Sequence, residues 1–225
     1  MKKKIMFILL LFILNLPLMA CNKLDVIGDR SIISFQDLLQ ASKGQVSSEE
    51  GNSGWSLTAS DQTARFIWSK DFDRTDKMNV LIETDAKPFV DAGLAADKLP
   101  AGMLQGDKIV VGTSLEADKI SDQEMTKPLE SYRQFVHLYR DHLKYHAKLD
   151  HFGIDLGGGN VFEWAKDMKT NDKDIVFVLN PQVFIEAGTN PDKVKGWLFA
   201  TVETMDDNGK KIKVDKFLKP FDLIK

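Results

Sequence analysis

Apolar and polar residues follow short, regular periods along the chain, first at a helical spacing and then in alternation. Over 32–42 the side chains of Phe35, Leu38 and Leu39 fall on one side of a helix. The next residues, 43–54, are polar and contain glycine, which is typical of a surface loop. Runs with strand composition then occur at 55–59, 64–69, 79–84 and 108–113. The first half therefore predicts one helix followed by four strands.

The second half shows the same order of patterns with a longer opening helix. That helix is predicted over 129–149, because its large apolar residues, from Tyr132 onward, lie within one arc at 100° per residue. A turn-rich link is predicted over 151–160. Asn208 and Gly209 favour a hairpin turn between the last two strands. The strands of this half are predicted at 161–165, 175–179, 197–203 and 212–217.

Two strings of residues occur twice and indicate a tandem duplication. FIWSKD at 66–71 returns as FEWAKD at 162–167. PFVDAG at 88–93 returns as VFIEAG at 183–188, and each predicts a short helical turn that a glycine closes. The spacing of both pairs defines a repeated unit of roughly 95 residues.

These patterns predict an α+β fold built from two copies of one unit: a helix, antiparallel strands, a short helical turn and further strands. We expect the copies to pack closely across a pseudo-twofold interface, and the sequence leaves open whether they share one sheet. The predicted organisation is a leader at 1–20, a tether at 21–30, a first copy at 31–127 and a second copy at 128–225.

The N-terminus has the composition of an export signal. Three lysines precede the apolar run 5–14, which is too short to cross a hydrocarbon core that needs about 20 residues. The run leads to Leu18, Met19, Ala20 and Cys21. This LMAC string resembles the lipobox of bacterial lipoprotein signal peptides, and the resemblance covers only about the first tenth of the chain. It implies that Cys21 is lipidated on its thiol, becomes the first mature residue and is acylated on its α-amino group.

This resemblance implies an extracytoplasmic protein that is attached to the membrane through Cys21. Its location would be the cell membrane, or the outer membrane in a cell with two membranes, because Asn22 replaces the aspartate associated with inner-membrane retention. Cys21 is the only cysteine, so the exported part forms no internal disulfide. Without the leader, 27 basic and 33 acidic residues remain, a net charge of −6, which argues against a nucleic-acid partner.

All four histidines lie within 137–151. On the predicted helix, His142 and His146 would lie on neighbouring turns of one face, with Asp150 and His151 as further donors for a transition metal. The alternative is that they are hydrogen-bonded residues at the border of the core. No HExxH pattern supports the metal hypothesis.

The repeated FxW[SA]KD string offers a second candidate site. Trp68 with Lys70, and Trp164 with Lys166, place an aromatic plane near a cation at two equivalent positions, which suits sugars, peptides or anionic groups. The alternative is that the aromatic residues alternate into the core while each lysine lies in a solvated turn.

No sequence signature of a nucleophile, a nucleotide loop or a catalytic metal is present, so the sequence favours a binding protein over an enzyme. The leading hypothesis is a lipid-anchored binding or interaction lipoprotein whose partner is an unidentified protein, peptide or small ligand. One alternative is a metal-binding lipoprotein that uses the His137–His151 cluster, with no other cofactor indicated. A second alternative is a hydrolase of envelope polymers with a carboxylate site that leaves no sequence signature.

Overall fold

The computed structural model describes residues 16–49, 54–70, 78–115, 127–168, 174–205 and 210–221, with side chains from residue 26 onward except 204, 205 and 221. Within these ranges the chain forms four α-helices and twelve β-strands. The helices are α1 (Leu16–Ala41), α2 (Lys87–Asp91), α3 (Pro128–Leu138) and α4 (Gln182–Glu186).

The strands form two six-stranded sheets in which all neighbours are antiparallel. The first contains β1 (Val46–Glu49), β2 (Gly54–Thr58), β3 (Ala64–Ser69), β4 (Val80–Asp85), β5 (Leu104–Gln105) and β6 (Lys108–Thr113). The second contains β7 (Leu143–His146), β8 (His151–Asp155), β9 (Val161–Ala165), β10 (Ile175–Leu179), β11 (Leu198–Met205) and β12 (Lys211–Phe221). Their orders, β1-β2-β3-β4-β6-β5 and β7-β8-β9-β10-β12-β11, are the same. The α+β class is confirmed, and the matching orders are consistent with a duplicated unit.

The two halves do not share a sheet; instead, their sheets face each other across one hydrophobic core. Alternate residues of each strand point inward, as the two-residue period requires. Phe66 of β3 and Phe162 of β9 stack with ring centroids 4.1 Å apart and an interplanar angle of 1°. The first residues of the two repeated FxW strings therefore meet in the centre of the molecule.

Helices α1 and α3 close one end of the core, and each packs against the sheet of the other half. Ser34 of α1 donates a hydrogen bond to the carbonyl of Ala165, the last residue of β9, at 3.1 Å. Ser131 of α3 donates in the same way to the carbonyl of Ser69, the last residue of β3. Each opening helix is thus hydrogen-bonded to the sheet of the other half.

The short helices α2 and α4 close the opposite end. The rings of Phe89 and Phe184 lie 4.8 Å apart there. Two backbone bonds join the segments behind these helices: the amide of Ala95 donates to Ala187, and that of Asn190 donates to Ala92, both at 2.8 Å. These reciprocal contacts give the two ends of the core the same pseudo-twofold arrangement.

The predicted helix over 129–149 is wrong beyond residue 138. Helix α3 ends at Leu138, a 3₁₀ turn follows at Arg140–His142, and β7 begins at Leu143. In β7, Leu143 is buried while the next residue, Lys144, is exposed, and pairing with β8 satisfies the backbone of both strands. The spacing of apolar residues over 143–146 fits a helix as well as a strand, because the segment is so short. The hydrogen bonds to β8 favour the strand.

Two predicted loops also contain strands: β1 lies within 43–54, and β8 lies within 151–160. Four predicted strands have the limits that the structure shows: 64–69, 108–113, 161–165 and 175–179. The turn at 208–209 lies outside the described residues.

Helix α1 includes the segment that the sequence suggested as a tether, 21–30. As a helix, the nine residues between Cys21 and Ser31 span about 14 Å at about 1.5 Å per residue, less than half of their extended length. None of the helices in the described ranges combines the length and the apolar character needed to cross a membrane.

Replacing Trp164 by alanine tests the core. Its side chain is 0% exposed, and its indole donates to the Ser34 hydroxyl at 3.1 Å. We expect Trp164→Ala to lower the free energy of unfolding by about 3–5 kcal/mol in urea titrations. The control, Leu198→Ala, removes a side chain that is 58% exposed and should change it by less than about 0.5 kcal/mol. Equal effects would contradict the central position of Trp164.

Gly93→Ala tests the contact between the halves at the α2–α4 end. Gly93 has φ +106°, and a Cβ there would lie 2.9 Å from the carbonyl oxygen of Gly188. Gly106 also has positive φ, +63°, but a Cβ there meets no atom within 4 Å. Both variants strain the backbone, and we expect Gly93→Ala to be about 1–3 kcal/mol less stable than Gly106→Ala in the same titrations. A smaller loss at Gly93 would show that the halves separate there.

Candidate functional site

The two repeated tryptophans are core residues and do not form ligand platforms. Trp68 and Trp164 are 1% and 0% exposed. The Trp68 indole donates to the carbonyl of Pro128 at 3.3 Å, as that of Trp164 donates to Ser34. Because their rings are covered by other side chains, the ligand-binding hypothesis for these two residues is replaced by the packing interpretation.

The lysines of the repeated string do not come together with those tryptophans. The Nζ atom of Lys70 lies 5.2 Å from the ring centroid of half-buried Trp55. The Nζ atom of Lys166 lies 3.3 Å from the carboxylate of Asp150. Each lysine thus follows its own strand and has a local partner.

Two of the proposed metal ligands have other partners. His142 lies in the 3₁₀ turn, where its Nδ1 is 3.0 Å from the carbonyl oxygen of Asp155. Asp150 lies in the β7–β8 turn with φ +54° and accepts a hydrogen bond from the Tyr145 hydroxyl. Since the long helix is absent, the proposed row of His142, His146 and Asp150 on one helical face does not exist.

The structure instead brings His146 and His151 together around Glu163. His146 and His151 are cross-strand partners in the β7–β8 hairpin, and Glu163 lies on the next strand, β9. The Nδ1 atom of His146 is 3.2 Å from one carboxylate oxygen of Glu163, and that of His151 is 4.0 Å from the other. We call His146, His151 and Glu163 the outer-face cluster.

The cluster lies on the outer face of the second sheet, because side chains alternate between the two faces along a strand. Phe162 and Trp164 point into the core, so Glu163 between them points to the opposite face of the second sheet. Glu163 is nevertheless only 8% exposed. It lies across β8, where a Cβ at Gly153 would come 3.4 Å from the Glu163 Cγ. The same Cβ would lie 3.0 Å from the Cγ1 atom of Val161, so a glycine at this position relieves crowding against β9.

The two imidazoles have pKa values shifted in opposite directions. The hydrogen bond to Glu163 raises the pKa of His146 above its ordinary 6.5, although burial opposes the shift. Burial lowers the pKa of His151 below 6.5, although the carboxylates of Glu163 and Asp174 oppose this shift. Burial also lowers the pKa of Lys216 below its ordinary 10.5, against the negative charge of Glu163. At pH 6.5 the protonated imidazole therefore predominates at His146 and the neutral imidazole at His151.

The β11–β12 hairpin borders the cluster at both ends of β8. Lys216 donates to the carbonyl of Gly159, in the β8–β9 turn, at 2.7 Å. Lys148, in the β7–β8 turn, has its Nζ 3.9 Å from the carboxylate of Glu203 on β11. The hairpin is thereby connected to the two turns that flank β8.

The first sheet has different residues at the matched positions. Trp55 pairs with Trp68 across β2 and β3 of the first sheet, as Phe152 pairs with Trp164 across β8 and β9 of the second. In this register Glu49 matches His146, Gly54 matches His151 and Ile67 matches Glu163. The outer-face cluster therefore exists on one sheet only.

The outer face of the first sheet is held together by its own ion pairs. Arg65 contacts the carboxylate of Glu49 at 2.9 Å and that of Glu83 at 3.0 Å. Ile67 lies on the same face and is 3% exposed. Sequence reasoning missed the outer-face cluster, although one signal was visible: the second residue of the repeated string changes from isoleucine to glutamate.

No family model, curated protein or solved structure matches the chain. As the side chains stand in the described ranges, no group of three or more His, Cys, Asp or Glu has the arrangement of a metal site. His151 Nδ1 is buried and has no hydrogen-bond partner among these residues. The cluster can accept hydrogen bonds through Glu163 and can donate or accept one through His151.

The pKa values of His146 and His151 can be measured by NMR titration of their imidazole signals. His146 should keep its proton above pH 6.5, so its contribution to stability is full below that pH and is lost as the pH rises through the raised value. His151 should stay neutral below pH 6.5, so it disfavours the folded state as the pH falls.

Glu163→Gln should lower both pKa values, because the carboxylate favours the protonated form of each ring. Glu83→Gln, which removes a carboxylate from the outer face of the first sheet, should leave both unchanged. Two unchanged midpoints in Glu163→Gln would contradict the described geometry.

Proposed function

We propose that the protein is a lipid-anchored, extracytoplasmic binding protein and that the outer-face cluster is its ligand site. One observation carries this proposal. At the position of Glu163 the first sheet has Ile67, which is 3% exposed within the same strand order. Because the fold accommodates an apolar residue there, a buried carboxylate is not required for folding.

The energetic argument supports a binding role. Burying an ionised carboxylate costs several kcal/mol unless charges and hydrogen bonds compensate. Here the compensation is incomplete, since the His146 contact is 3.2 Å but the His151 contact is 4.0 Å. A ligand that donates a hydrogen bond to Glu163 would complete it. We therefore propose a small polar ligand or a peptide side chain that carries hydroxyl or amino groups.

We also propose that the two halves arose by duplication of one unit of roughly 95 residues. Three features support this: the common strand order, the matched hydrogen bonds of Ser34 and Ser131, and the reciprocal backbone bonds of Ala95 and Asn190. Under this proposal the two copies have diverged at the cluster, because its three residues differ at every matched position of the first.

Metal binding through histidines is the second candidate. Both Nδ1 atoms of His146 and His151 face the same carboxylate. Ligand atoms of a tetrahedral zinc site lie about 3.3 Å apart when the bonds are about 2.0–2.1 Å. His146 and Glu163 have nearly this separation, and His151 would have to move closer. His142 and Asp150 are left out, since their donor atoms have other partners.

Native mass spectrometry and elemental analysis of the mature protein test the proposal. The protein would be purified from membranes in mild detergent, together with Glu163→Ile, which copies the residue of the first sheet. We expect the parent to retain an additional bound mass and Glu163→Ile to lose it. An organic mass supports the first candidate, and a metal in the elemental analysis supports the second.

Two controls separate binding from folding. Glu83→Gln changes a carboxylate on the other outer face and should retain the bound mass. Glu163→Ile should remain folded in urea titrations, because the first sheet accommodates Ile67 at the matched position, although it loses the contact with His146. Equal retention by the parent and Glu163→Ile, or no bound mass in the parent, would refute the cluster as the ligand site.

A further inference from the structure

The β11–β12 hairpin extends well beyond the sheet to which it belongs. Strand β12 pairs with β10 over 217–221 but with β11 over 211–218, so most of the hairpin lies past the end of β10. We call this part, 200–205 and 211–216, the arm. The matched hairpin of the first sheet, β5–β6, consists of two residue pairs. The arm and the outer-face cluster therefore distinguish the same half of the molecule from the other.

The arm crosses the outer face of the second sheet. At its base Lys216 donates to the carbonyl of Gly159 in the β8–β9 turn at 2.7 Å, and further along Glu203 lies 3.9 Å from Lys148 in the β7–β8 turn. These turns are at opposite ends of β8, and β9 and β10 separate β8 from β12. The arm therefore reaches both turns across a face of the sheet. This is the outer face, because the core fills the inner one.

This position of the arm explains why a carboxylate on an outer face is buried. Glu163 is 8% exposed, and the side chain of His151 is 18% exposed. Burial lowers the pKa of Lys216, and the negative charges of Glu163 and Asp155 oppose this shift, so the lysine ammonium lies near the cluster. The outer-face cluster thus lies between the sheet and the arm.

The side of the arm that faces the sheet is mostly apolar. Ile212 and Val214 lie on the same side of β12 as Lys216, because side chains alternate along a strand. All three are half-buried, whereas the residues between them are exposed. Val202, the cross-strand partner of Val214, is half-buried as well. The space under the arm therefore has hydrogen-bonding groups on its sheet side and aliphatic side chains on its arm side.

The charges around Glu163 favour a neutral ligand. His146, its partner at 3.2 Å, has a raised pKa because of this hydrogen bond and is mostly protonated at pH 6.5. Lys216 brings a second cation close to the same carboxylate. A hydroxyl or amide group can donate to Glu163 without adding a third positive charge. An apolar part of the same ligand would be removed from water by the aliphatic side of the arm.

We propose that the arm is the second wall of the ligand site and that the ligand is neutral, with a hydroxyl or amide donor for Glu163 and an apolar part that Ile212 and Val214 cover. This inference rests on the proposed function, because it concerns the same site. The arm must move aside when the ligand enters. Its contact through Lys148 and Glu203 is an exposed ion pair, a kind of contact that adds little stability.

Two matched amides test the class of ligand. N-acetyl-leucinamide and N-acetyl-glycinamide have the same amide donors, and only the first has an apolar side chain. Each would be titrated at pH 6.5 into the mature protein, purified from membranes in mild detergent, while NMR follows the methyl signals of Ile212 and Val214 and the imidazole signals of His151. We expect N-acetyl-leucinamide to reach half-saturation at a several-fold lower concentration than N-acetyl-glycinamide. Leucinamide, which carries a charged amine, should bind several-fold more weakly than N-acetyl-leucinamide.

Variants of the arm test its role as a wall. Val214→Asn and Ile212→Asn should raise the half-saturation concentration of N-acetyl-leucinamide several-fold and should have little effect on that of N-acetyl-glycinamide. Val90→Asn on α2, which replaces a side chain that is 49% exposed, should change neither. Unchanged methyl signals of Ile82, a core residue that is 0% exposed, show that each variant is folded.

Glu163→Ile separates this inference from the proposed function, and we expect it to abolish the binding of both amides. If it does so while the two amides bind equally, leucinamide binds more tightly or the arm variants have no effect, the inference is overturned and the cluster remains the ligand site. An absence of shifts with both amides in the parent also overturns the inference, and the mass retained in native mass spectrometry then decides the proposed function. Binding that is unchanged in Glu163→Ile refutes both.

Discussion

The stacking of Phe35 on Tyr132 is the contact on which the rest of the structure depends. Their ring centroids are 3.8 Å apart, and the edge of Phe35 also meets the two tryptophans, Trp68 at 5.5 Å and Trp164 at 5.4 Å. These four rings come from α1, α3, β3 and β9, so one cluster joins both opening helices to both sheets. Since each helix contacts the sheets of both halves, neither half completes a core by itself.

Polar contacts between the halves fix their relative position. Lys219 of β12 is 4% exposed and donates to the carboxylate of Asp61, in the β2–β3 turn, at 2.6 Å. A buried lysine with a partner adds little net stability, but its separation from that partner would be costly. In a protein whose single cysteine leaves no internal disulfide, such a contact selects one packing of the two sheets. Apolar burial then supplies the stability of that packing.

The sequence predicts the local elements and leaves their partners open. Strands at 64–69 and 161–165 are recognisable because alternation over five or six residues is enough to define them. The strand at 143–146 is too short for that, and its spacing continues the helical pattern of α3. The pairing of α1 with β9 has no local signal, since it depends on contacts 131 residues apart. Glu163 is visible as a difference between the repeats, but its neighbours His146 and His151 follow only from the strand register.

The contact between α1 and β9 limits when during synthesis the core can be completed. Ser34 emerges early, whereas Ala165, the end of the strand that α1 covers, is made 131 residues later. Helix α3 is complete at residue 138, but α1 lacks its docking strand until Ala165 is made. Contacts of such sequence separation slow folding, because the intervening chain must be ordered before they form. The end of the core that α1 and α3 close can therefore be completed only after residue 165 has been made.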